Sequence, residues 1–199
     1  MVERWTRERR LEHTRSLLLD AAEEVFAEKG FMPATLDDIG RAAGYTKGAI
    51  YKHFATKEDL FLAVSDRYWR RYFDNFAEVI SAEHVGSREL DEIAARWRQV
   101  SRDRGAEHAA LGHEFSLYLL RNPDVRERVA EKRAEVVEAL AKFIVEGIDR
   151  LGATLLIPPL TFAQVLVTTS DSVVLGSELD GVDLYRPVVE MYVSAIKLP

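Results

Sequence analysis

The chain of 199 residues has no cysteine, so it can form neither disulfides nor thiolate metal sites, and it suits a reducing compartment. No apolar run approaches the ~18 residues that a membrane span needs. Leu17, Leu18 and Leu19 follow a basic N-terminus, but Asp20, Glu23 and Glu24 cut the run short, which is not a signal-peptide pattern. The 6 prolines and 11 glycines punctuate rather than accumulate, and no low-complexity tract or repeat is present. No convincing strand pattern, no His pair at the i, i+4 spacing of a helical zinc site, no phosphate-binding Gly-rich loop and no nucleophile elbow occurs. The expectation is a cytoplasmic protein that spans no membrane, with no catalytic set, no metal and no cofactor.

Positive charge is also scarce in bulk, with 27 Lys and Arg against 33 Asp and Glu for a net charge of -6. Its distribution matters more, because phosphates are felt mainly within a Debye length of about 8 Å. From Ile39 through Lys57 there is no carboxylate, while Arg41, Lys47, Lys52 and Lys57 are basic and His53 can become so. A second cluster, Arg4, Arg7, Arg9, Arg10 and Arg15, reads equally as a solvated helix start or as a DNA-contacting arm.

The periodicity is helical throughout. Leu11, Leu18, Ala22, Val25 and Phe26 form the stripe of a first helix that Gly30 ends. Thr35 can cap a short second helix, with Asp37 and Asp38 in its first turn and Leu36, Ile39 and Ala43 facing inward. Gly44 supplies a tight turn, Thr46 caps a third helix, and Ile50 and Phe54 face the core. That leaves Thr46, Lys47, Gly48, Ala49, Tyr51, Lys52 and His53 on an outer surface suited to a DNA groove. Thr56 with Asp59 opens a fourth helix, in whose first turn Lys57 opposes the dipole, a placement that a DNA phosphate would explain. The expected DNA-binding residues are therefore Thr35, Arg41, Thr46, Lys47, Gly48, Ala49, Tyr51, Lys52, His53 and Lys57.

Taken together, Ala21, Ala22 and Phe26, then Lys29-Gly30-Phe31, Thr35, Ile39, Ala42-Ala43-Gly44, the run Lys47 to Phe54 and Lys57 to Leu60 carry a resemblance. The stretch from about Leu18 to Val64 resembles the DNA-binding domain of the TetR (tetracycline-repressor-like) family of bacterial regulators. The resemblance covers about a quarter of the chain. It implies an all-α protein of about nine helices: a three-helix helix-turn-helix domain over 1–56, then a helical ligand-binding and dimerisation domain over 57–199. It further implies a homodimer whose recognition helices enter successive major grooves of a palindromic operator, as a repressor released by a small, largely apolar effector. A ligand-independent co-regulator is the alternative. A helical enzyme or carrier with a vestigial DNA motif is a more distant one.

Beyond the motif, the sixth helix, about Glu107 to Arg121, is apolar on more than one face, with Leu111, Phe115 and Leu119 on one side and Leu117 and Leu120 on another, as in a central helix. It also carries His108, His113 and Glu114, which either satisfy one another in a core or line a cavity. Aromatics from Tyr68 to Phe76 and Trp97 are open to the same two readings. With the pocket that the resemblance implies, the candidate ligand residues are Tyr72, Trp97, His113, Glu114, Tyr118 and Asp171. The eighth helix, from Pro158-Pro159 to about Leu175, and the ninth carry surplus apolar surface, and the resemblance implies that they pair with their mates in a four-helix bundle. Phe162, Leu166, Val173, Val189, Tyr192 and Ile196 are the candidate interface.

Overall fold

In the computed structural model, residues 6–77, 87–104 and 106–198 are described, with side chains over 6–70, 88–103 and 107–198. Nine helices occur among them, and the chain divides into two compact units, Met1–Asp66 and Arg67–Pro199. No helix of the described residues is long and apolar enough to cross a membrane.

The first unit holds α1 (Arg7–Lys29), α2 (Leu36–Ala42), α3 (Lys47–Ile50) and the first turns of α4 (Lys57–Ala77). Leu18, Ala22, Phe26, Ile39, Ile50 and Leu60 fill its core, joined by Phe31. The rings of Phe26, Phe31 and Phe61 meet with centroids 5.2 to 5.8 Å apart, two of the three pairs edge-on, an arrangement that adds to plain area burial. Leu11 is exposed, so the inward stripe of α1 starts further along the helix. Thr35 caps α2 by accepting the Asp38 N–H at 3.1 Å. The turn between α2 and α3 closes with two nested bonds, Tyr45 N–H to the Gly40 carbonyl at 2.8 Å and Gly44 N–H to that of Arg41 at 3.1 Å. Gly44 stands at φ 73, a left-handed conformation that a side chain would strain.

The second unit holds the rest of α4 with α5 (Ser87–Arg104), α6 (Ala106–Arg121), α7 (Pro123–Arg150), α8 (Pro159–Asp180) and α9 (Tyr185–Ser194). Two apolar clusters organise it. One joins Trp69, Ile93, Trp97, Val173, Tyr185 and Val189, and the other joins Leu140, Ile144, Ile148, Phe162 and Ala163. Arg186 ties α9 to α5 through Asp91 at 2.6 Å.

Three features differ from expectation. A two-residue antiparallel ladder joins β1 (Thr154–Leu155) to β2 (Ile196–Lys197), too short to produce an alternating pattern. α8 continues to Asp180 because its polar middle does not break it: Thr168, Thr169 and Ser172 turn their hydroxyls back onto carbonyls four residues earlier. α6 does have a solvent face in the single chain, since Leu117 is 51% and Leu120 65% exposed.

Candidate nucleic-acid interface

The short α3 follows the Gly44 turn and ends at Ile50, after which the N–H groups of Lys52 and His53 bond three residues back while that of Phe54 bonds four back to Ile50. Gly48 faces open space: a Cβ built on it meets nothing within 4 Å. Lys47, Gly48, Tyr51 and Lys52 are exposed, and Ala49 and His53 half-buried. Thr46 takes the extended backbone of a helix-capping residue, but its side chain makes no capping bond; the Thr46 carbonyl accepts the Ala49 N–H at 2.9 Å instead.

The cations of this surface have partners that the sequence pattern did not reveal. Lys47 Nζ donates to Asp37 Oδ2 at 2.8 Å, which raises its pKa, and it lies 5.8 Å from the Tyr51 ring centroid. Arg41, largely exposed, is 3.8 Å from Asp38 Oδ1, and Lys29 is 3.3 Å from the same oxygen. The Asp38 carboxylate is held below its ordinary pKa first by the Thr35 hydroxyl, which donates to it at 2.7 Å, and then by Lys29. The Thr-x-x-Asp spacing was the available signal for that bond. Arg15 stacks its guanidinium 4.6 Å from the centre of the Phe54 ring, so α1 brings a basic group to the end of the segment that follows α3. Arg4 lies outside the described residues. Partial burial pushes the His53 pKa down, helped by the charges of Arg15 and Lys52.

Lys57 is placed differently from expectation. Its Nζ donates to the carbonyls of Phe31 at 2.7 Å and Met32 at 2.9 Å and sits 4.5 Å from the centroid of the Phe31 ring. These carbonyls follow the end of α1 and supply the favourable field that the first turn of α4 denies a cation. Desolvation lowers its pKa, with Glu58 partly offsetting. Lys57→Met should therefore cost about 1–3 kcal/mol of stability, since the part-buried Phe31 carbonyl loses a charged donor while the exposed Met32 carbonyl can turn to water. Thermal melting measures that loss, and a salt titration of DNA binding shows separately whether Lys57 also meets a phosphate, through a slope lower by about one.

Residues 18–64 match the family described as "Bacterial regulatory proteins, tetR family". Over 160 residues the chain is 26% identical to the uncharacterized HTH-type transcriptional regulator YfiR of Bacillus subtilis, covering 79% of this chain and 76% of that one. It is 29% identical over 129 residues to the HTH-type transcriptional regulator UidR of Escherichia coli K12, covering 65% of this chain and 63% of UidR. The solved structure of Salmonella enterica GusR superposes with a TM-score of 0.57 at 24% identity, over 92% of this chain and 95% of that one, a likeness of fold. The matched segment and these relatives identify a DNA-binding transcriptional regulator of the helix-turn-helix class. Its residues 18–64 carry the DNA-binding domain of the TetR family.

In the second unit the candidate ligand residues separate. Trp97 is committed to the core, edge-on to Tyr185 at 5.3 Å and stacked at 6.1 Å on Tyr192. The side chain of Tyr72 lies outside the described residues. Tyr118 stacks on Phe115 at 6.5 Å, and Glu114 is half-buried. The structure brings α6 and α8 into close approach at Gly112 and Asp171, where a Cβ on the glycine would lie 2.0 Å from Asp171 Oδ2. At the next residue, His113 Nε2 is hidden from solvent with no hydrogen-bond partner.

The interface candidates are largely engaged within the single chain. Phe162, Val173 and Val189 are buried within their own chain, and Leu166, Tyr192 and Ile196 pack against the same two clusters. Tyr192 also bonds to the Thr169 hydroxyl, and burial raises its pKa. The large uncovered apolar side chains of α8 and α9 are Leu160, Val165, Leu179 and Met191, with Val182 exposed in the loop between the two helices. The exposed positions Thr161, Val165, Thr168, Ser172 and Leu179 recur at three-, four- and seven-residue steps along one face of α8.

Proposed function

We propose that this regulator is a cytoplasmic homodimeric repressor that binds a palindromic operator through the segment from Thr35 to Lys57 and leaves it when a small, largely apolar ligand enters the second unit. The observation that carries the ligand reading is His113. A buried ring nitrogen without a partner costs stability unless something supplies one, and a polar group on an otherwise apolar effector would do so. Glu114, Tyr118 and Asp171 complete the candidate lining. α4 is one continuous helix whose first turns belong to the reading unit and whose remainder belongs to the other, and it is the natural carrier of coupling between them. The dimer is assigned to the uncovered stripe of α8 from Thr161 to Leu179 together with Met191 of α9.

The ligand-independent alternative draws support from Trp97, an aromatic expected at a cavity that is spent on the core. One experiment separates the readings. An operator is selected from a randomised duplex pool, and effectors are screened by loss of that binding. His113→Leu should then shift the effector concentration needed for release while leaving unliganded operator affinity nearly unchanged. A variant with lowered melting temperature and an unaltered effector response assigns His113 to structure alone.

A further inference from the structure

We propose that Asp37 is a specificity-determining residue: its carboxylate competes with DNA phosphates for Lys47 and so suppresses binding to non-operator DNA. The proposal rests on the reading that Lys47 lies on the DNA-facing surface. Lys47 is the first residue of α3, and its ammonium group is held at 2.8 Å by Asp37 Oδ2 from the first turn of α2. The other oxygen, Asp37 Oδ1, is hidden from solvent and has no hydrogen-bond partner. When Lys47 leaves, the carboxylate gives up the ammonium partner of its Oδ2 while Oδ1 stays hidden from water and unpartnered, so water can compensate only one of the two oxygens. The pair itself is exposed, with the Lys47 side chain 67% accessible, so it adds little to folding stability and its effect falls on binding.

On random DNA, the gain for Lys47 is a single phosphate contact set against the loss of a good carboxylate contact. The uncompensated charge of Asp37 would then also face the phosphates. On the operator, base-edge contacts from the rest of the segment supply the difference, or Lys47 keeps Asp37 and is aimed by it. Both cases tax indiscriminate binding more than specific binding, which is how a repulsive element yields discrimination.

The test measures Kd by fluorescence anisotropy across a salt series, on a short random-sequence duplex and on a selected operator, for the wild type, Asp37→Asn, Lys47→Gln and the double variant. Asp37→Asn keeps the shape of the side chain, and melting curves verify folding. It should bind the random duplex about three- to tenfold more tightly at low salt, with the slope of log K against log salt steeper by about one. Operator affinity should change less, so the specificity ratio falls, and adding Lys47→Gln should remove the gain. Unchanged random-duplex affinity and slope in Asp37→Asn, alongside weakened operator binding in Lys47→Gln, would overturn the role of Asp37. If Lys47→Gln weakens binding to neither duplex, the DNA-facing assignment of Lys47 itself falls, and the proposal with it.

Discussion

Replacing Gly48 with glutamate is expected to abolish specific operator binding while leaving the fold intact. The structure separates these two effects. Gly48 lies in α3 with a φ outside the left-handed region, and the space that its side chain would enter is empty. Glutamate is also a better helix former than glycine by roughly 0.5–1 kcal/mol, so circular dichroism and melting should match the wild type or improve slightly. Bound to DNA, the same side chain would occupy the gap that lets the helix approach the base edges, and it would place a carboxylate beside phosphates between Lys47 and Lys52. Loss of the close approach removes base contacts worth about 1–3 kcal/mol each, so operator affinity should fall on the order of 100-fold or more. Gly48→Ala is the control for bulk without charge and should lose less. A gel shift decides the matter: specific binding retained by a folded Gly48→Glu protein would falsify the assignment of this surface to the groove.

The first unit was legible in the sequence because its information is local. Ala22, Phe26, Ile39, Ile50, Phe54 and Leu60 announce themselves by spacing, Thr35 by its capping position, and Gly44 by the turn that demands it. What stayed hidden is set by residues far apart in the chain. Lys57 stands out in the sequence because its charge opposes the dipole of α4, and the carbonyls that partner it lie 25 and 26 residues earlier, where no local spacing announces them. The pairing of Asp37 with Lys47 and the stacking of Arg15 on Phe54 are likewise products of the turn geometry rather than of any pattern. In the second unit the difficulty is different. α6, α8 and α9 are apolar on several faces, and hydrophobicity alone does not say which face is buried by the same chain and which remains for a partner. Leu117 and Leu120 read like core and are exposed, while Phe162 and Val189 read like interface and are core.

That ambiguity can be resolved on α9 with two substitutions two residues apart. Val189 is 3% exposed, packed in the cluster that contains Trp97, Val173 and Tyr185, whereas Met191 is 69% exposed in the single chain. Val189→Glu puts a carboxylate into that cluster with no cation facing it among the residues that form it. The buried charge and the disrupted packing should cost about 3–5 kcal/mol, a large fraction of the stability of a domain this size. The variant should melt far below the wild type or accumulate as aggregate, and its loss of operator binding would follow from loss of the fold. Met191→Glu should leave the melting of the protomer almost untouched, because the new side chain enters solvent. If the α8 and α9 face is where two copies meet, this exposed substitution is the one that yields monomers, and weaker operator binding follows because one half-site supplies only part of the contacts. Sedimentation equilibrium and thermal melting on both variants give the answer. A folded Met191→Glu protein that remains a dimer moves the interface away from α9, and a Val189→Glu protein that melts like the wild type removes Val189 from the core.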